Sequence, residues 1–299
     1  LMCKWKLVWK SAMFHLRQEM RNPRFLLSFV LAFVLCLMLS DKAVFFAESY
    51  GTSMQVFETF ILAFGDGKSI MLSTLLLIFL FADLPVNNQL TPYYLTRITK
   101  NIWIWGQLLY VFLITVFYVL FLLLVTCIIC GNISFVGNMW SETMALLGYS
   151  GAGQKIALPA SLKTLEATSP YPCAAVIFLL IAGYALVNAT MLLAFRLGKH
   201  PALGSISVFL FNLFGLFLNP EIFMKLFHFP GTVEYKAQVI TGWISPLNHA
   251  TYYMHNFGYD YLPRIGTSLL FFCVMIGVNI LIIKREMKHF EFLFVQKSE

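Results

Sequence analysis

Six long runs of this sequence contain no charged residue at all. A helix needs about 20 apolar residues to cross the hydrocarbon layer of a membrane, and most of the runs approach or exceed that length. Hydrophobic residues make up 59% of the chain and charged residues 12%, against about 25% charged in soluble domains. The sequence therefore predicts an all-α, polytopic membrane protein with six transmembrane helices. The runs cover residues 25–39, 69–82, 101–130, 172–195, 201–220 and 265–283.

The second and third runs depart from that length in opposite directions. The second holds only about 14 residues, fewer than a span requires. Its helix therefore either extends back through residues 65–68 or begins below the outer surface. The third holds about 30 residues and is long enough to cross at a tilt or to continue beyond the bilayer.

Basic residues concentrate in segments that would lie on one side of the membrane. Because Lys and Arg are enriched in cytoplasmic segments, this bias places both termini in the cytoplasm. The net charge of +7 then reports orientation rather than nucleic-acid binding, for which no basic face with interleaved aromatic residues is present. The basic residues on the predicted inner side are Lys4, Lys6, Lys10, Arg17, Arg21, Arg24, Arg97, Lys100, Arg196, Lys199, Lys284, Arg285, Lys288 and Lys297.

Residues 1–24, before the first run, carry a helical pattern. Apolar residues recur at three- and four-residue spacing from Trp5 to Met20, with basic residues on other faces. This pattern is typical of an amphipathic helix lying in the membrane interface with its basic side toward anionic lipid. Pro23 should end it, because the residue before a proline is pushed out of helical conformation. The predicted interface anchors are Trp5, Trp9, Lys6, Lys10, Arg17 and Arg21, with Trp103 and Trp105 at the start of the third run.

A polar insert at residues 83–101, DLPVNNQLTPYYLTRITKN, separates the second and third runs. Its Thr-Pro pair at 91–92 is typical of a helix start, so a short helix is expected from Tyr93 to about Lys100. The other inner segments are short, so a cytoplasmic partner would dock chiefly on this insert. The alternative is an ordinary inner loop in which Arg97 and Lys100 only set the topology.

Three outer segments are expected, at residues 40–68, 131–171 and 221–264. The last contains WISPLNHATYYMHNFGYDYL, which is too polar to span and too apolar for a solvated loop. It predicts short helices that dip back into the outer leaflet and are covered by protein, with an aromatic belt at the interface as the alternative. The residues of this outer re-entrant cap are Trp243, Pro246, Asn248, His249 and Tyr252.

Motifs for catalysis, nucleotide binding and metal binding are missing from the sequence. The patterns HExxH, GxSxG and GxGxxG do not occur, and Gly67-Lys68-Ser69 follows Leu62 where a phosphate-binding loop needs glycine. Cys127 and Cys130 form a CxxC pair, but no second pair or histidine cluster completes a zinc site. We therefore expect no catalytic residue, no metal site and no cofactor bound by this chain.

Two other classes of function remain open. A membrane-embedded enzyme that modifies lipids would need reactive side chains near an interface, and only the neighbourhood of His249, His255 and Asp260 offers them. A sodium-coupled carrier could use neutral oxygens, although polar residues inside the runs, such as Asn188 and Asn212, can equally bond neighbouring helices. The six runs contain no Asp, Glu, His, Lys or Arg, although coupled carriers usually bind the driving ion on such residues. Energy for transport is therefore expected to enter from outside the spans.

These features together resemble the membrane subunits of bacterial ABC exporters of type 2, in which permease and ATPase are separate polypeptides. The likeness covers most of the chain. It rests on the amphipathic helix before the first of six spans, on LTRITKNIWIWGQLLY after the second, and on WISPLNHATYY before the last.

The resemblance implies a permease that moves an amphiphile, peptide or drug-like substrate out across the plasma membrane. ATP and Mg²⁺ would bind a partner ATPase subunit, and a second permease, identical or related, would complete the transporter among the membrane lipids. Residues 1–24 would form the elbow helix, 25–299 the six-span domain and 244–253 the outer cap. The residues that would seat in a groove of the ATPase are Asn87, Asn88, Gln89, Leu90, Thr91, Pro92, Tyr93, Tyr94 and Arg97.

Overall fold

The computed structural model of the chain is almost entirely helical. It describes residues 2–85, 93, 95–158, 160–198, 201–218, 220–226, 228, 234–258 and 260–290. About 80% of the described residues are helical. The two strands within the described ranges, β1 (Met54–Gln55) and β2 (Ser134–Phe135), pair in parallel over two residues only. The predicted helical fold class is therefore confirmed.

Helices follow one another along most of the described chain. The first half contains α1 (Met2–Glu19), α2 (Pro23–Tyr50), α3 (Glu58–Phe64), α4 (Gly67–Leu80), α5 (Lys100–Ile129), α6 (Glu142–Tyr149) and α7 (Ala152–Lys155). The second half contains α8 (Leu162–Ala167), α9 (Pro170–Leu197), α10 (Pro201–Phe217), α11 (Pro220–Leu226), α12 (Glu234–Ile244), α13 (Pro246–Ala250) and α14 (Ile265–His289). Short 3₁₀ turns lie at Gly131–Ile133 and Tyr252–Met254.

Four of these helices, α2, α5, α9 and α14, are long and apolar enough to cross a membrane. Two bent pairs pass the same test when each is taken as one span: α3 with α4, bent by 86°, and α10 with α11, bent by 76°. By length and composition, the described helices make this a multi-pass membrane protein with four to six spans. The six predicted spans are matched only when both bent pairs are counted.

The helix of the first span is longer than its apolar run. The sequence predicts a span over 25–39 and an outer segment beyond it, but α2 continues through Asp41 and Lys42 to Tyr50. Both charged side chains are exposed, so the extension does not require burial of charge. Gly51 ends the helix with a φ of 64°, a conformation that glycine adopts at little cost.

The second span begins at a sharp bend. The helical chain does extend back beyond residue 69, to Glu58, but α3 and α4 point in different directions. Gly65 lies at the bend, where an added Cβ would collide with the ring of Tyr253. The bend is thus fixed by packing against a distant segment.

Polar side chains inside the bundle form a closed network. Asn212 Oδ1 accepts hydrogen bonds from Thr74 Oγ1 at 3.1 Å and from the Tyr184 hydroxyl at 2.9 Å. Its Nδ2 donates to Asn188 Oδ1 and to the Val208 carbonyl, both at 2.8 Å. Because every donor and acceptor of Asn212 is used, the network suits adhesion between α4, α9 and α10 rather than binding of an ion.

The two ends of the bundle differ in what they carry. The insert end carries residues 82–85, the start of α5 and the ends of α9 and α14, which contact one another. The far end carries α3, residues 131–167 and residues 234–264, including a second apolar core around α6. Because α2 begins and α14 ends at the insert end, the described chain crosses between the ends an even number of times.

Candidate functional site

Most of the predicted docking residues lie outside the described residues. These are Asn87, Asn88, Gln89, Leu90, Thr91, Pro92 and Tyr94. The two that are described, Tyr93 and Arg97, are exposed. Tyr93 is helical, but the chain turns at Arg97 and α5 begins at Lys100, so the helix predicted over 93–100 is interrupted.

Three sets of contacts, which we call the insert anchors, hold the two flanks of the insert. The first ties Asp83 to the start of α2: Arg24 Nη1 donates to Asp83 Oδ1 at 2.6 Å, and Asn22 Nδ2 donates to Asp83 Oδ2 at 2.9 Å. Asn22 Oδ1 also accepts from the Arg24 backbone N–H and caps α2. Since Arg24 and Asp83 are 52% and 43% exposed, the pair adds little to stability. Its effect is to hold Asp83, at the first flank of the insert, beside the start of α2.

The second anchor comes from the end of α9. Arg196 Nη1 donates to the carbonyl oxygens of Ala82 and Leu84, the latter at 2.9 Å. Carbonyls at and just beyond a helix C-terminus lack partners within the helix, and a cation there is favoured by the helix dipole. Arg196 therefore connects α9 to the first residues of the insert.

The third anchor holds the other flank of the insert to the end of α14. Lys100 Nζ donates to the Phe290 carbonyl at 3.0 Å, and the Trp103 ring stacks on the Phe290 ring with centroids 6.2 Å apart. Six residues before Phe290, the Lys284 ammonium lies 4.9 Å from the centroid of the Trp105 ring. Together the insert anchors join α2, α4, α5, α9 and α14 at one end of the bundle.

Glu19, the last residue of α1, is buried beside the first anchor. Burial raises the pKa of its carboxyl from 4.5 to about 7, and the charge of Asp83 adds to the rise. A hydrogen bond with Asn22 and the charge of Arg24 lower the pKa by less. The carboxyl therefore changes protonation near neutral pH at the point where α1 meets the insert.

We expect Glu19→Gln to remove a pH dependence of stability. Because the folded-state pKa is raised, the stability from protonated Glu19 is fully present below about pH 4.5 and is lost as the pH rises through 7. At about pH 8 the variant should exceed wild type by roughly 3 kcal/mol in free energy of unfolding, and near pH 4.5 the two should agree. Unfolding of the purified chain across this range checks the prediction, with the exposed Glu48→Gln as control. Equal pH slopes for wild type and Glu19→Gln would contradict it.

The N-terminal helix has three faces rather than the two expected. One face packs along α5 and is buried. The second exposes the apolar anchors Trp5 and Trp9, at 63% and 47%, and the third exposes the basic anchors. His15 lies on the buried face, where burial lowers its pKa to about 4, so it packs as a neutral ring. The buried face consists of Val8, Ser11, Ala12, His15 and Glu19.

Trp103, one of the predicted interface anchors, is fully buried within the protein. Its ring lies edge-on to His15, with centroids 6.3 Å apart, and stacks on Phe290. The cause is α1, which covers the face of α5 that would otherwise meet lipid. Trp105, the other predicted anchor on α5, is 41% exposed.

The residues predicted to cap the outer side fall on short helices at the far end. Trp243 lies one residue before the end of α12 and is 49% exposed. Pro246 and His249 on α13, and Tyr252 in the following turn, are buried. Asn248 is partly exposed. Three of the five predicted cap residues are therefore covered by protein.

Two histidines of this segment meet one serine of α14, a grouping that sequence spacing did not reveal. Ser268 Oγ lies 2.8 Å from His249 Nδ1 and 2.8 Å from His255 Nε2. The outer ring nitrogens lie 3.0 Å from the Trp243 carbonyl and 3.0 Å from the Thr251 carbonyl, to which they donate. All three side chains are buried, and burial lowers the pKa of both rings.

The single hydroxyl proton of Ser268 can serve only one of the two rings at a time. We expect Ser268→Ala to lower the free energy of unfolding by about 1–3 kcal/mol, because two buried ring nitrogens then lose their polar neighbour. Its matched control is Thr267→Ala, an exposed neighbour on the same turn, expected to cost less than about 0.5 kcal/mol. Thermal unfolding of the two variants compares them, and equal losses would contradict the assignment.

The other chemical candidates are separated or enclosed. Asp260 forms an ion pair with Lys163, so it does not join the histidines with which the sequence associates it. Cys130 is buried, and its Sγ lies 3.5 Å from the Val56 carbonyl. Within the described ranges, no group of three or more His, Cys, Asp or Glu residues could hold a metal ion.

Comparison with known proteins gives no assignment. No family model, no curated protein and no solved structure matches the chain.

Proposed function

We propose that this chain is the permease subunit of a type-2 ATP-binding cassette exporter in the plasma membrane. It pairs with a second permease, identical or related, and exports a small amphiphile, a peptide or a drug-like molecule. ATP and Mg²⁺ bind to separate ATPase subunits, and this chain contributes no catalytic residue.

The insert anchors are the observation that carries the proposal. A polar insert between two apolar spans has to be rigidly connected if a force applied to it is to move the spans. Here one flank is bonded to α2 and α9 and the other to the end of α14. Displacement of the insert by a closing ATPase pair would therefore move several long helices together.

The lack of ion-binding side chains in the apolar runs supports the same proposal. The six apolar runs contain no acidic, basic or histidine side chain, and Asn212, the central polar residue of the bundle, has all its hydrogen-bonding groups occupied. A sodium- or proton-driven carrier needs free ligands or titratable groups for its ion. An ATPase subunit that supplies energy from outside the spans accounts better for these features.

The test is capture of the soluble ATPase encoded beside this chain, recognised by its GxxxxGK[ST] loop. Replacing residues 87–97 with a Gly/Ser linker of equal length should lower capture by the tagged chain at least about tenfold, the effect of losing roughly 1.4 kcal/mol of binding free energy. The control is an equal replacement of residues 151–161 at the far end, which should leave capture unchanged. Undiminished capture by the 87–97 variant would count against the docking assignment.

A further inference from the structure

A cavity of about 440 Å³ lies at the far end, where both bent helix pairs change direction. Its wall includes Asp66 and Gly67 at the α3–α4 bend and Leu218 and Pro220 at the α10–α11 bend. Irregular backbone at membrane depth is tolerated where it lines a cavity, and interrupted helices commonly contribute to transport sites. The two bends therefore have a common consequence, which is to leave space between them.

The size and lining of this cavity fit a small molecule. Its volume lies toward the lower end of the range of roughly 300–1,000 Å³ for ligand sites. Apolar side chains, among them Leu216, Val239 and Leu247, line most of the wall, and Gln238 and Asn248 add polar groups. An alkyl chain with a polar head matches this mixture better than a folded peptide does.

The charged side chains that line the cavity limit the class of ligand further. Four charged side chains line the cavity, and two of them, Lys163 and Asp260, pair with each other. Asp66 and Lys68 form no hydrogen bond or ion pair through their side chains with any described residue. Asp66 occupies the N-cap position of α4 without capping it. Asp66 is half-buried and Lys68 is exposed, so one carboxylate and one ammonium at the start of one helix are accessible to a ligand that enters the cavity.

We propose that this cavity binds a single-chain zwitterionic amphiphile. The cationic group of the ligand lies at Asp66, its anionic group lies at Lys68 beside the N-terminus of α4, and the first part of its chain lies against the apolar wall. A ligand of one charge would pair with only Asp66 or only Lys68 and leave the other to water, and an uncharged ligand would pair with neither. The inference rests on the proposed function only in treating this ligand as the exported substrate, since binding requires no ATPase.

The test uses the full chain in lipid nanodiscs without any ATPase, and a diazirine-bearing dodecylphosphocholine as the photoreactive probe. We expect cross-links to concentrate in residues 234–258. Hexylphosphocholine should compete at least about tenfold better than hexyltrimethylammonium or hexyl sulfate, because each of these satisfies only one of the two charges.

Variants at the two charges separate binding from misfolding. Asp66→Asn and Lys68→Met should each lower labelling about tenfold, and their residual preferences should be opposite. Asp66→Asn should favour hexyl sulfate, and Lys68→Met should favour hexyltrimethylammonium. The controls Glu234→Gln and Lys236→Met, exposed on α12 and outside the cavity, should label as wild type does.

Labelling spread evenly over the lipid-facing helices and equal in all variants would show partition into the bilayer and overturn the proposal. Equal competition by the three hexyl compounds would also overturn it. If the wild-type chain shows no specific labelling although it performs ATP-driven transport, the cavity assignment fails and the proposed function stands. Specific labelling by a chain that captures no ATPase supports the cavity and counts against the proposed function.

Discussion

Arg196→Ala is expected to lower ATP-driven transport about 100-fold while the ATPase is still captured. Two hydrogen bonds from its guanidinium to the Ala82 and Leu84 carbonyls, each worth roughly 1.5–3 kcal/mol for a charged donor, hold α9 to the start of the insert. Without them the insert can move while α9 stays in place. Transport and ATPase capture are measured on the same co-reconstituted vesicles.

The matched control for this variant is Arg285→Ala, an exposed arginine at the same end of the bundle. It should transport as wild type does, because Arg285 bonds no carbonyl of the insert among the described contacts. Arg196→Lys should fall between alanine and wild type, since one ammonium can reach a carbonyl but lacks the fork of the guanidinium. Wild-type transport by Arg196→Ala would show that α9 and the insert are not coupled through this contact.

Gly106→Val is expected to detach α1 from α5 and to destabilise the chain by about 3 kcal/mol or more. A Cβ at residue 106 would lie 2.6 Å from the Ser11 Cβ and closer still to its Oγ, so the two helices could not keep their separation. Gly106→Ala should cost about 1–3 kcal/mol. Thermal unfolding in detergent measures both losses.

Two further variants test whether this close contact is the cause. Ser11→Gly removes both colliding atoms and should restore at least about 1 kcal/mol to Gly106→Ala, less the lower helix propensity of glycine. Gly277→Ala, in a long helix with nothing within 4 Å of the added atom, should be neutral or slightly stabilising. An equal loss from Gly277→Ala and Gly106→Ala would mean that backbone flexibility, not contact with Ser11, decides the effect.

The spans were predictable because absence of charge over about 20 residues is a local property. The bends were not, because they depend on contacts between distant segments, such as Gly65 with the ring of Tyr253. The extension of α2 to Tyr50 was also missed, since hydropathy detects the apolar core of a helix and not where its hydrogen bonding stops. Gly51 was the available signal for that end.

The side of α1 that packs on protein was not predictable from hydrophobicity, because it carries polar residues. Ser11, His15 and Glu19 do not form an apolar stripe, yet all three are buried. The spacing of apolar residues therefore indicates the exposed face with Trp5 and Trp9 and not the side that packs on α5. The burial of Trp103 follows from the same helix.

The candidate site was predictable in outline but not in its contacts. Charge bias assigned Arg24, Lys100 and Arg196 to one side of the membrane, and these residues do meet at one end of the bundle. The acceptors of their hydrogen bonds are mostly backbone carbonyls, which every residue has and which a sequence therefore cannot distinguish. Likewise, a separation of six residues does not place His249 and His255 on one face of a helix. The two rings come together because the chain leaves the helix after Ala250, and their shared partner Ser268 comes from α14.

Uphill transport by the purified chain alone is the measurement that bears most directly on where the energy enters. Vesicles containing only this chain, given a sodium gradient, a proton gradient or ATP, should neither accumulate nor expel an alkylphosphocholine substrate above the background of empty vesicles. Addition of the proposed ATPase subunit, with ATP and Mg²⁺, should produce transport. Gradient-driven movement by the chain without a partner would contradict the account.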